Sequence, residues 1–376
     1  MTSKDPKPAG LYVHIPFCKT KCPYCDFYSV VDQKQHVKRF ARALTKEMSS
    51  QPEGFSEFDS LYFGGGTPSF LEDEEFANIF AALRRHFSFL DNTEITVEVN
   101  PDDITADKLR NYKDFGVNRV SIGVQSFSEK DLLFLGRRHS AKKSREAISL
   151  IREAGFKNFG IDLMNGLPGQ TLKRWEVTLK EAVSFAPAHI SCYQLTIAER
   201  TAFGKMFSSG NLRLPSEKRQ RDVFLCTSKL LTENGYVHYE VSNFARGTRY
   251  RSRHNMKYWD HTPYLGLGPA AHSFIGNRRW WNSTNLSKYF SAVERKRSTI
   301  EGVESLSPEQ LNLETLLLGL RTYKGVQLKD IEAIPLDKAQ LQKLIRDGKL
   351  KMDRGRLIPT IHGYLIADRM PILLTS

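Results

Sequence analysis

Residues 11–27 read LYVHIPFCKTKCPYCDF, a β-rich run that passes directly into three cysteines spaced C-x3-C-x2-C. These cysteines are Cys18, Cys22 and Cys25. Three thiolates this close can hold three irons of a cubane [4Fe–4S] cluster and leave the fourth iron without a protein ligand. A structural zinc site takes four protein ligands, and the other two cysteines, Cys192 and Cys226, stand alone. The spacing therefore favours a cluster with one open iron over zinc, a disulfide or a chance grouping.

Strand and helix patterns alternate through the first half of the chain. Runs rich in Val, Ile and Phe predict strands at residues 11–15, 60–63, 94–100, 119–125, 158–164 and 189–197. Amphipathic patterns between them predict helices at residues 33–48, 72–87, 141–154 and 172–185. This alternation implies an α/β fold with a parallel sheet and helical crossovers. Six such units form either an incomplete barrel or an open doubly wound sheet, and periodicity alone does not separate the two.

Polar motifs follow the predicted strands at their carboxyl ends, where parallel sheets place their chemistry. The cysteines follow the first strand, and the sequence GGGTP at residues 64–68 follows the second. Glu98, Gln125 and Asp162 come at the ends of the next three strands. A triple glycine is usually only a tight turn, but after a strand it lets a ligand approach the backbone closely. The common position of these motifs on one rim favours a binding site.

Length and composition are those of a globular protein with more than one structural unit. The chain has 376 residues, of which 40% are apolar, so two or three units are expected. Its first ten residues lack the apolar core of a secretory signal, and no apolar stretch reaches the roughly 20 residues that span a bilayer. Five cysteines, three of them in one triplet, favour a reducing compartment. We therefore expect a cytoplasmic protein.

The net charge of +13 is concentrated in the second half. Residues 1–200 carry 27 Lys and Arg against 26 Asp and Glu, whereas residues 201–376 carry 28 against 16. Between residues 246 and 297, eleven basic residues face only two acids and are interleaved with aromatic residues. Such a segment suits a flat anionic ligand, a nucleic acid or an acidic partner surface, and a plain solvated surface is the simplest alternative.

The pattern changes after Met206. We predict a helix at residues 215–234, a β-like run at 236–244, helices at 307–323 and 337–350, and a hairpin of residues 349–352 and 356–358 around Gly355. Helices that end in a hairpin resemble a winged-helix unit. Such a unit can bind nucleic acid or simply pack against the rest of the protein.

Five motifs taken together resemble the HemN/HemW group of radical S-adenosylmethionine (SAM) proteins. They are YVHIPFC at residues 12–18, GGGTP at 64–68, VNRVSIGVQSF at 117–127, LGRRH at 135–139 and DLMNGLPGQT at 162–171. The resemblance covers nearly the whole chain. It implies a partial (β/α)6 radical SAM barrel over residues 1–205, a basic, aromatic-rich connecting region over 206–300, and a smaller α+β part with a winged-helix-like tail over 301–376.

The same resemblance assigns a cofactor site. It implies that the three cysteines bind a [4Fe–4S] cluster whose open iron is capped by the amino acid end of SAM. In this superfamily, one electron from the cluster cleaves SAM to methionine and a 5′-deoxyadenosyl radical. The SAM-binding residues that it implies are Tyr12, Tyr24, Gly65, Gly66, Thr67, Glu98, Gln125, Arg137 and Asp162. Acids that accept from hydroxyls and an arginine that pairs with a carboxylate suit these roles.

The group contains an oxygen-independent coproporphyrinogen III dehydrogenase and a haem chaperone, and three features favour the chaperone branch. Phe27 stands where the dehydrogenase has a fourth cysteine, and only 17 residues precede Cys18, where the dehydrogenase has a long extension. Residues 254–259, HNMKYW, match the HNxxYW motif of the haem-binding branch. We therefore expect a haem chaperone without coproporphyrinogen dehydrogenase activity, and we assign no catalytic residue.

Haem is the third predicted ligand after the cluster and SAM. Neutral imidazole is a common axial ligand of haem iron, so we predict His254 as the ligand, with His272 as the competing one. Arg249, Arg251, Arg253 and Lys257 can pair with the haem propionates. A histidine and two aromatic residues packed in a core turn is the plain alternative.

The expected partners follow from the chaperone prediction. They are haem and acceptor haemoproteins, including respiratory and membrane-bound ones, with peripheral membrane association and without nucleic acid binding. Two other classes of function stay open: a porphyrin-modifying radical enzyme and a radical SAM enzyme that acts on RNA. Decarboxylation of coproporphyrinogen would support the first and salt-sensitive RNA binding the second.

Overall fold

The computed structural model describes residues 7–31, 33–50 and 54–375, so the first six residues of the N-terminal segment lie outside the described chain. The strands of the first half are β1 (Ala9–Ile15), β2 (Phe17–Cys18), β3 (Val30–Val31), β4 (Phe58–Gly65), β5 (Phe89–Val99), β6 (Arg119–Gln125), β7 (Phe159–Asn165) and β8 (His189–Gln194). Its helices are α1 (Val37–Met48), α2 (Asp73–His86), α3 (Ala106–Asp114), α4 (Glu129–Phe134), α5 (Ala141–Glu153), α6 (Leu172–Ser184) and α7 (Ala202–Ser208).

The second half adds shorter strands and further helices. Its strands are β9 (Val237–Glu240), β10 (Asn243–Ala245), β11 (Tyr264–Leu267), β12 (His272–Ile275), β13 (Arg278–Asn282), β14 (Ile300–Ser305), β15 (Val326–Gln327), β16 (Leu350–Asp353) and β17 (Arg356–Pro359). Its helices are α8 (Glu217–Glu233), α9 (Arg253–Trp259), α10 (Leu286–Glu294), α11 (Pro308–Gly319), α12 (Lys338–Arg346), α13 (Ile361–Tyr364) and α14 (Met370–Thr375). Within the described ranges, no helix combines the length and the apolar character that crossing a membrane would require.

Six parallel strands form the centre of the sheet in the order β1-β4-β5-β6-β7-β8. The helices between them start at predictable caps: the side chains of Thr105, Ser140 and Thr171 each accept a backbone N–H three residues further on. The predicted partial (β/α)6 barrel is confirmed. In the part of the chain that the structure describes, the sheet remains open, with β14 and β9 at its two edges.

The two faces of this sheet differ sharply in polarity. On one face, side chains such as Val13, Phe63 and Val97 pack with the helices into one large hydrophobic core. The alternate positions of the same strands are polar and point the other way, because successive strand residues face opposite sides. They include Tyr12, His14, Ser60, Tyr62, Glu94, Thr96, Glu98, Arg119, Ser121, Asp162 and His189. We call this second face the interior face. A barrel interior is usually filled by branched apolar side chains, so a polar interior face indicates binding.

The second half extends the same sheet at both edges, which the sequence did not predict. β11 pairs in parallel with β1, with Gly10 opposite Tyr264, and β12 to β14 continue from it antiparallel. On the other side, β10 pairs antiparallel with β8 and β9 with β10. The β-like run predicted at 236–244 corresponds to β9 and the start of β10. The proposed boundaries at residues 205 and 300 stay predictions, although strands from both sides of residue 205 share one sheet.

The last 70 residues form a small unit with a core of its own. Helix α11 begins at a capping box, in which the Ser307 side chain accepts the Gln310 N–H and the Gln310 side chain accepts the Ser307 N–H. Leu316, Leu344 and Leu357 are among the residues of its core. The predicted hairpin is present as β16 and β17, and β15 pairs with β17 to make a three-stranded sheet. The two helices and the hairpin predicted for this part of the chain are therefore present, as α11, α12 and β16–β17.

Candidate functional site

The three cysteines of the triplet follow β1 closely: Cys18 ends the short strand β2, and Cys22 and Cys25 lie in the loop after it, which we call the cysteine loop together with Cys18. All three are free thiols and half-buried, and the Cys18 Sγ is 3.4 Å from the Thr67 hydroxyl. Arg137 Nη1 donates to the Cys22 Sγ at 3.5 Å. Burial raises the pKa of Cys18 and Cys25, so metal binding would have to displace their protons. The nearby Cys22 adds to the rise in both pKa values, as expected for thiols close together in the chain.

A single metal ion is the alternative to a cluster at these cysteines. Among the described residues, no group of three or more His, Cys, Asp or Glu side chains is close enough to hold one ion. The preference for a [4Fe–4S] cluster over zinc therefore rests on the spacing of the three cysteines in the sequence, and cluster ligation by these cysteines stays a prediction.

Neighbouring elements hold the cysteine loop in place. The Pro23 carbonyl accepts the Phe203 N–H at 2.9 Å, at the start of α7, and the Tyr24 ring packs 6.3 Å from the Phe203 ring. Gly136, after α4, has a positive φ of 62°, and a Cβ there would come within 2.7 Å of Pro23. The glycine therefore lets the loop and the segment after α4 approach closely.

The GGGTP turn closes against the start of the cysteine loop. The Gly66 N–H donates to the Ile15 carbonyl at 2.8 Å and the Thr67 N–H to the Phe17 carbonyl at 2.9 Å. Gly65 has a φ of 106°, and a Cβ there would lie within 2.5 Å of the His14 ring. Because the N–H groups of residues 66 and 67 are used inside the chain, these two donors are not available to a ligand, and the predicted contact of the turn with SAM stays a prediction.

Two carboxylates of the interior face stand near this turn. Glu98 accepts the Tyr62 hydroxyl at 2.7 Å, and Asp162 accepts the Ser121 hydroxyl at 3.0 Å. Burial raises the pKa of Glu98 to about 7, with the nearby Asp162 charge adding to the effect, and burial also raises the pKa of Asp162. Neither carboxylate forms an ion pair with any described lysine, arginine or histidine. Both are thus available to the hydroxyl and ammonium groups of a ligand.

Gln125 and Arg137 connect these carboxylates to the cysteine loop. Gln125 has a φ of 67° and lies where the register between β6 and β7 shifts by a bulge. Arg137 Nη2 donates to the Gly123 carbonyl at 2.9 Å while its other terminal nitrogen reaches Cys22. A non-glycine residue with positive φ is strained and frequently marks a functional site. The structure brings both predicted side chains to the same rim.

His254 lies elsewhere on the interior face, at the amino ends of the strands. It is 1% exposed, and each ring nitrogen has a partner: Nδ1 is 3.0 Å from the Ser60 hydroxyl and Nε2 is 2.9 Å from the Tyr258 hydroxyl. The backbone N–H of His254 donates to the Glu94 carboxylate at 3.1 Å. Burial lowers the pKa of His254 to about 3, with Lys257 contributing, so the ring is neutral. In this conformation neither nitrogen is free to bind haem iron, and ligation by His254 stays a prediction.

His272, the alternative ligand, is accessible. It lies on β12 with its side chain exposed, and its ring stacks on Trp281 at 5.6 Å. The charge of His272 contributes to the lowered pKa of His14, so His272 lies near His14, at the carboxyl end of β1. Of the two histidines, only His272 presents its ring to an incoming porphyrin without a rearrangement.

A basic cleft opens below His254, at the amino ends of β1, β4 and β5. Its volume is about 460 Å³, and it is lined by six cations and three carboxylates. The cations are Lys7, Arg249, Arg251, Arg253, Lys257 and Lys324, and the carboxylates are Asp59, Glu94 and Asp260. Two of the carboxylates pair with lysines, Asp59 with Lys257 at 2.7 Å and Asp260 with Lys7 at 3.2 Å. The four propionate partners that the sequence suggested all line this cleft.

The sequence missed several residues that shape the site, above all Tyr62, Ser121 and Arg119. Arg119 is 2% exposed, and its Nε and Nη1 have no hydrogen-bond partner among the described residues. One signal for these residues was present: polar side chains recur at alternate positions of three strands, at residues 60 and 62, 94, 96 and 98, and 119 and 121. In strands whose other positions are apolar, that alternation marks one polar face.

Comparison with known proteins agrees with this geometry. Residues 12–182 match the family model of the Radical SAM superfamily. The solved structure of the coproporphyrinogen III oxidase HemN from Escherichia coli, a radical SAM enzyme, superposes with a TM-score of 0.84 at 25% identity and covers 99% of this chain and 91% of that one. Fold and site together define a radical SAM protein.

Comparison with curated relatives identifies the family within the radical SAM proteins to which the chain belongs. The haem chaperone HemW of Bacillus subtilis is 36% identical over 321 residues, which is 85% of this chain and 84% of that protein. The HemW proteins of Lactococcus lactis and Escherichia coli are 32% and 38% identical over 97% and 71% of this chain, and 96% and 70% of their own lengths. The chain belongs to the HemW family.

Proposed function

We propose that this chain is a haem chaperone that binds haem and transfers it to acceptor haemoproteins. The observation that carries the proposal is the similarity to HemW proteins over up to 97% of the chain, with the whole fold included. The exposed His272 and the basic cleft support it, since a porphyrin with two propionates needs an iron ligand and cations. The acceptor proteins, a cytoplasmic location and a peripheral contact with membranes belong to the same proposal.

The cofactors of the proposal are a [4Fe–4S] cluster held by Cys18, Cys22 and Cys25, and SAM. A bound cluster supplies an electron and an open iron that the amino acid end of SAM can chelate. Glu98 and Asp162 are placed to accept hydrogen bonds from ribose hydroxyls or the ammonium. Arg137 is placed to bind a carboxylate beside the cysteines. Tyr12 and Tyr24 border the space, since Tyr12 lies on the interior face and Tyr24 between two of the cysteines.

The chaperone proposal makes two alternatives for the haem ligand testable. Ligation by His254 requires its ring to leave Ser60 and Tyr258, whereas His272 can bind as it stands. In either case, Arg249 can reach a propionate from the basic cleft, since it is exposed and its guanidinium only stacks on Tyr250 at 4.6 Å. The HNxxYW segment supports His254, and the accessible ring supports His272.

The alternative function is that of a coproporphyrinogen III dehydrogenase. The similarity to the HemN structure supports this alternative. Phe27 argues against it. This side chain is 69% exposed on the cysteine loop, at the position where the dehydrogenase pattern has a cysteine. A porphyrin enzyme and a haem carrier can share one fold because function resides in sites rather than in folds.

One experiment separates the two functions. The cluster is reconstituted anaerobically, haem is titrated while the Soret band is followed, and coproporphyrinogen is supplied with SAM and a reductant in parallel. We expect haem binding with defined stoichiometry, transfer to an apo-haemoprotein, and no decarboxylated product. Protoporphyrinogen formed in step with SAM consumption would refute the chaperone proposal and support the dehydrogenase.

A further inference from the structure

An unbroken row of contacts joins His254 to Glu98 across the interior face. The His254 ring stacks on the Tyr62 ring, with centroids 5.1 Å apart and planes at 28°. The Tyr62 hydroxyl in turn donates to the Glu98 carboxylate at 2.7 Å. Tyr62 thus touches both the HNxxYW segment of α9 and a carboxylate that we assign to SAM. Neither sequence motif predicted that these two sites share a residue.

The shape of the interior face fixes this row. A Cβ at Gly64 would lie 3.0 Å from the Tyr62 ring, 3.1 Å from the Tyr12 ring and 3.2 Å from the Glu98 carboxyl carbon. The glycine therefore leaves the space in which the two rings and the carboxylate meet. Tyr12 closes the row from β1, with its ring 6.2 Å from both the Tyr62 and the His254 rings. A tyrosine held by rings on both sides aims its hydroxyl in one direction.

The row is fixed at its His254 end as well as at its Glu98 end. The His254 ring is held by hydroxyls on both ring nitrogens, so it cannot turn without losing these hydrogen bonds, and its backbone N–H, which donates to Glu94, fixes the start of α9. Leaving a buried polar group unpaired is energetically unfavourable. The stacked imidazole is therefore a rigid support for the Tyr62 ring.

We propose that Tyr62 and His254 are positioning residues of the SAM pocket: His254 supports the Tyr62 ring, and Tyr62 orients Glu98 for SAM. This inference rests on the proposed SAM site and extends it to α9, which the sequence assigned to haem alone. It has a consequence for the proposed function. If His254 swings out to bind haem iron, Glu98 loses its oriented partner, so SAM and haem weaken each other's binding by the same factor.

The pH dependence of SAM binding provides a readout that a purely structural role would not move. Glu98 titrates near pH 7, and the hydrogen bond from Tyr62 lowers its pKa against the effect of burial. Other ionisable groups also face Glu98; they are Tyr12, Tyr193, Tyr258, Asp162 and Arg119. Because they are unchanged in a Tyr62→Phe variant, that variant should shift the midpoint of SAM affinity to higher pH.

The test measures SAM affinity of the anaerobically reconstituted full chain by equilibrium binding between pH 6 and 9. We expect Tyr62→Phe to weaken SAM binding by about tenfold at pH 7 and His254→Ala by about fivefold. In the double variant the loss should stay near tenfold instead of multiplying, since both changes act through one hydroxyl. His254→Phe keeps a ring under Tyr62 and should recover most of the affinity. Tyr264→Phe, the same change at a hydroxyl next to Arg279 and Glu314, is the matched control and should have no effect.

The outcomes separate this inference from the chaperone function. Wild-type affinity and an unshifted pH midpoint in Tyr62→Phe would overturn the inference, as would multiplicative losses in the double variant. Haem binding is measured on the same preparations. Should haem fail to bind while the Tyr62 and His254 effects on SAM persist, the chaperone proposal fails and the positioning role stands.

Discussion

The two ends of the parallel strands present their polar groups in opposite ways. At the carboxyl end, Tyr12, Glu98 and Asp162 stay partly exposed, and the three cysteines are half-buried free thiols. At the amino end, His254 and Lys257 are buried and already paired with protein groups. The cofactor end is thus prepared for a ligand, whereas the HNxxYW end must rearrange to accept one. Cluster and SAM binding should therefore depend on single side chains, and haem ligation by His254 on a conformational change.

The largest expected effect is at the cofactor end. Replacing any one of Cys18, Cys22 and Cys25 by Ala removes a thiolate from the only cysteine triplet in the sequence, so the broad visible absorption of the cluster should disappear. Iron analysis and absorption after anaerobic reconstitution measure this. Cys226→Ala, a half-buried cysteine on α8, is the control and should retain the cluster. A triple variant that still held about four irons per chain would contradict the assignment.

SAM binding should show the next largest effect. Asp162→Asn keeps the shape of the side chain but removes its charge, and we expect SAM affinity of the reconstituted protein to fall at least roughly tenfold. Asp91→Asn, at an exposed aspartate near the start of β5, should leave the affinity unchanged. Equal affinity in the Asp162 and Asp91 variants would assign Asp162 a purely structural role.

Replacing the candidate haem ligands tests whether the amino end of the strands rearranges when haem binds. If α9 rearranges, His254→Ala removes an iron–nitrogen bond, shifts the Soret band of bound haem and weakens binding several-fold. His272→Ala is the competing variant, and His362→Ala, an exposed histidine of the C-terminal unit, is the control. A spectral change in the His272 variant alone would move the ligand to β12. It would also mean that the amino end stays closed when haem is bound.

The smallest effect concerns the basic cleft. Arg249→Ala should weaken haem binding about two- to threefold at low salt, with the difference shrinking at high salt, because an exposed charge pair is screened. Arg152→Ala, an exposed arginine on α5, serves as the control. A loss that did not respond to salt would show that the cleft contributes by packing rather than by charge.

The sequence predicted the repeating part of the molecule and missed its closure. The six parallel strands and helices α1, α2, α5 and α6 were recognisable because each has a strong period. The short helices α3, α4 and α7 and the two-residue strands β2 and β3 were not predicted. Strands β11 to β14 were missed, since they are four to six residues long and β11 carries Gly266 in its centre. β11 pairs with β1, which lies far away in the sequence, and β12 to β14 are added to β11 one after another.

The same reasoning explains the mixed result at the site. The cysteines, the glycine turn and the strand-end acids could be located because they lie in local motifs at strand ends. The burial of His254 could not, since Ser60 and Tyr62, which hold its ring, come from a strand nearly 200 residues earlier. Local sequence identifies groups capable of chemistry, but distant contacts decide whether such a group is free.

The pairing of β1 with β11 has a consequence for how the protein is made. β1 carries the cysteine loop at its end, but one of its edges stays unpaired until Tyr264 has been synthesised. At about 5–20 residues per second, the roughly 250 residues between them take on the order of 10–50 s to translate. During that time the cysteine loop follows a strand that is paired on one edge only. Delivery of iron and sulfide to this chain should therefore follow, rather than accompany, synthesis of its second half.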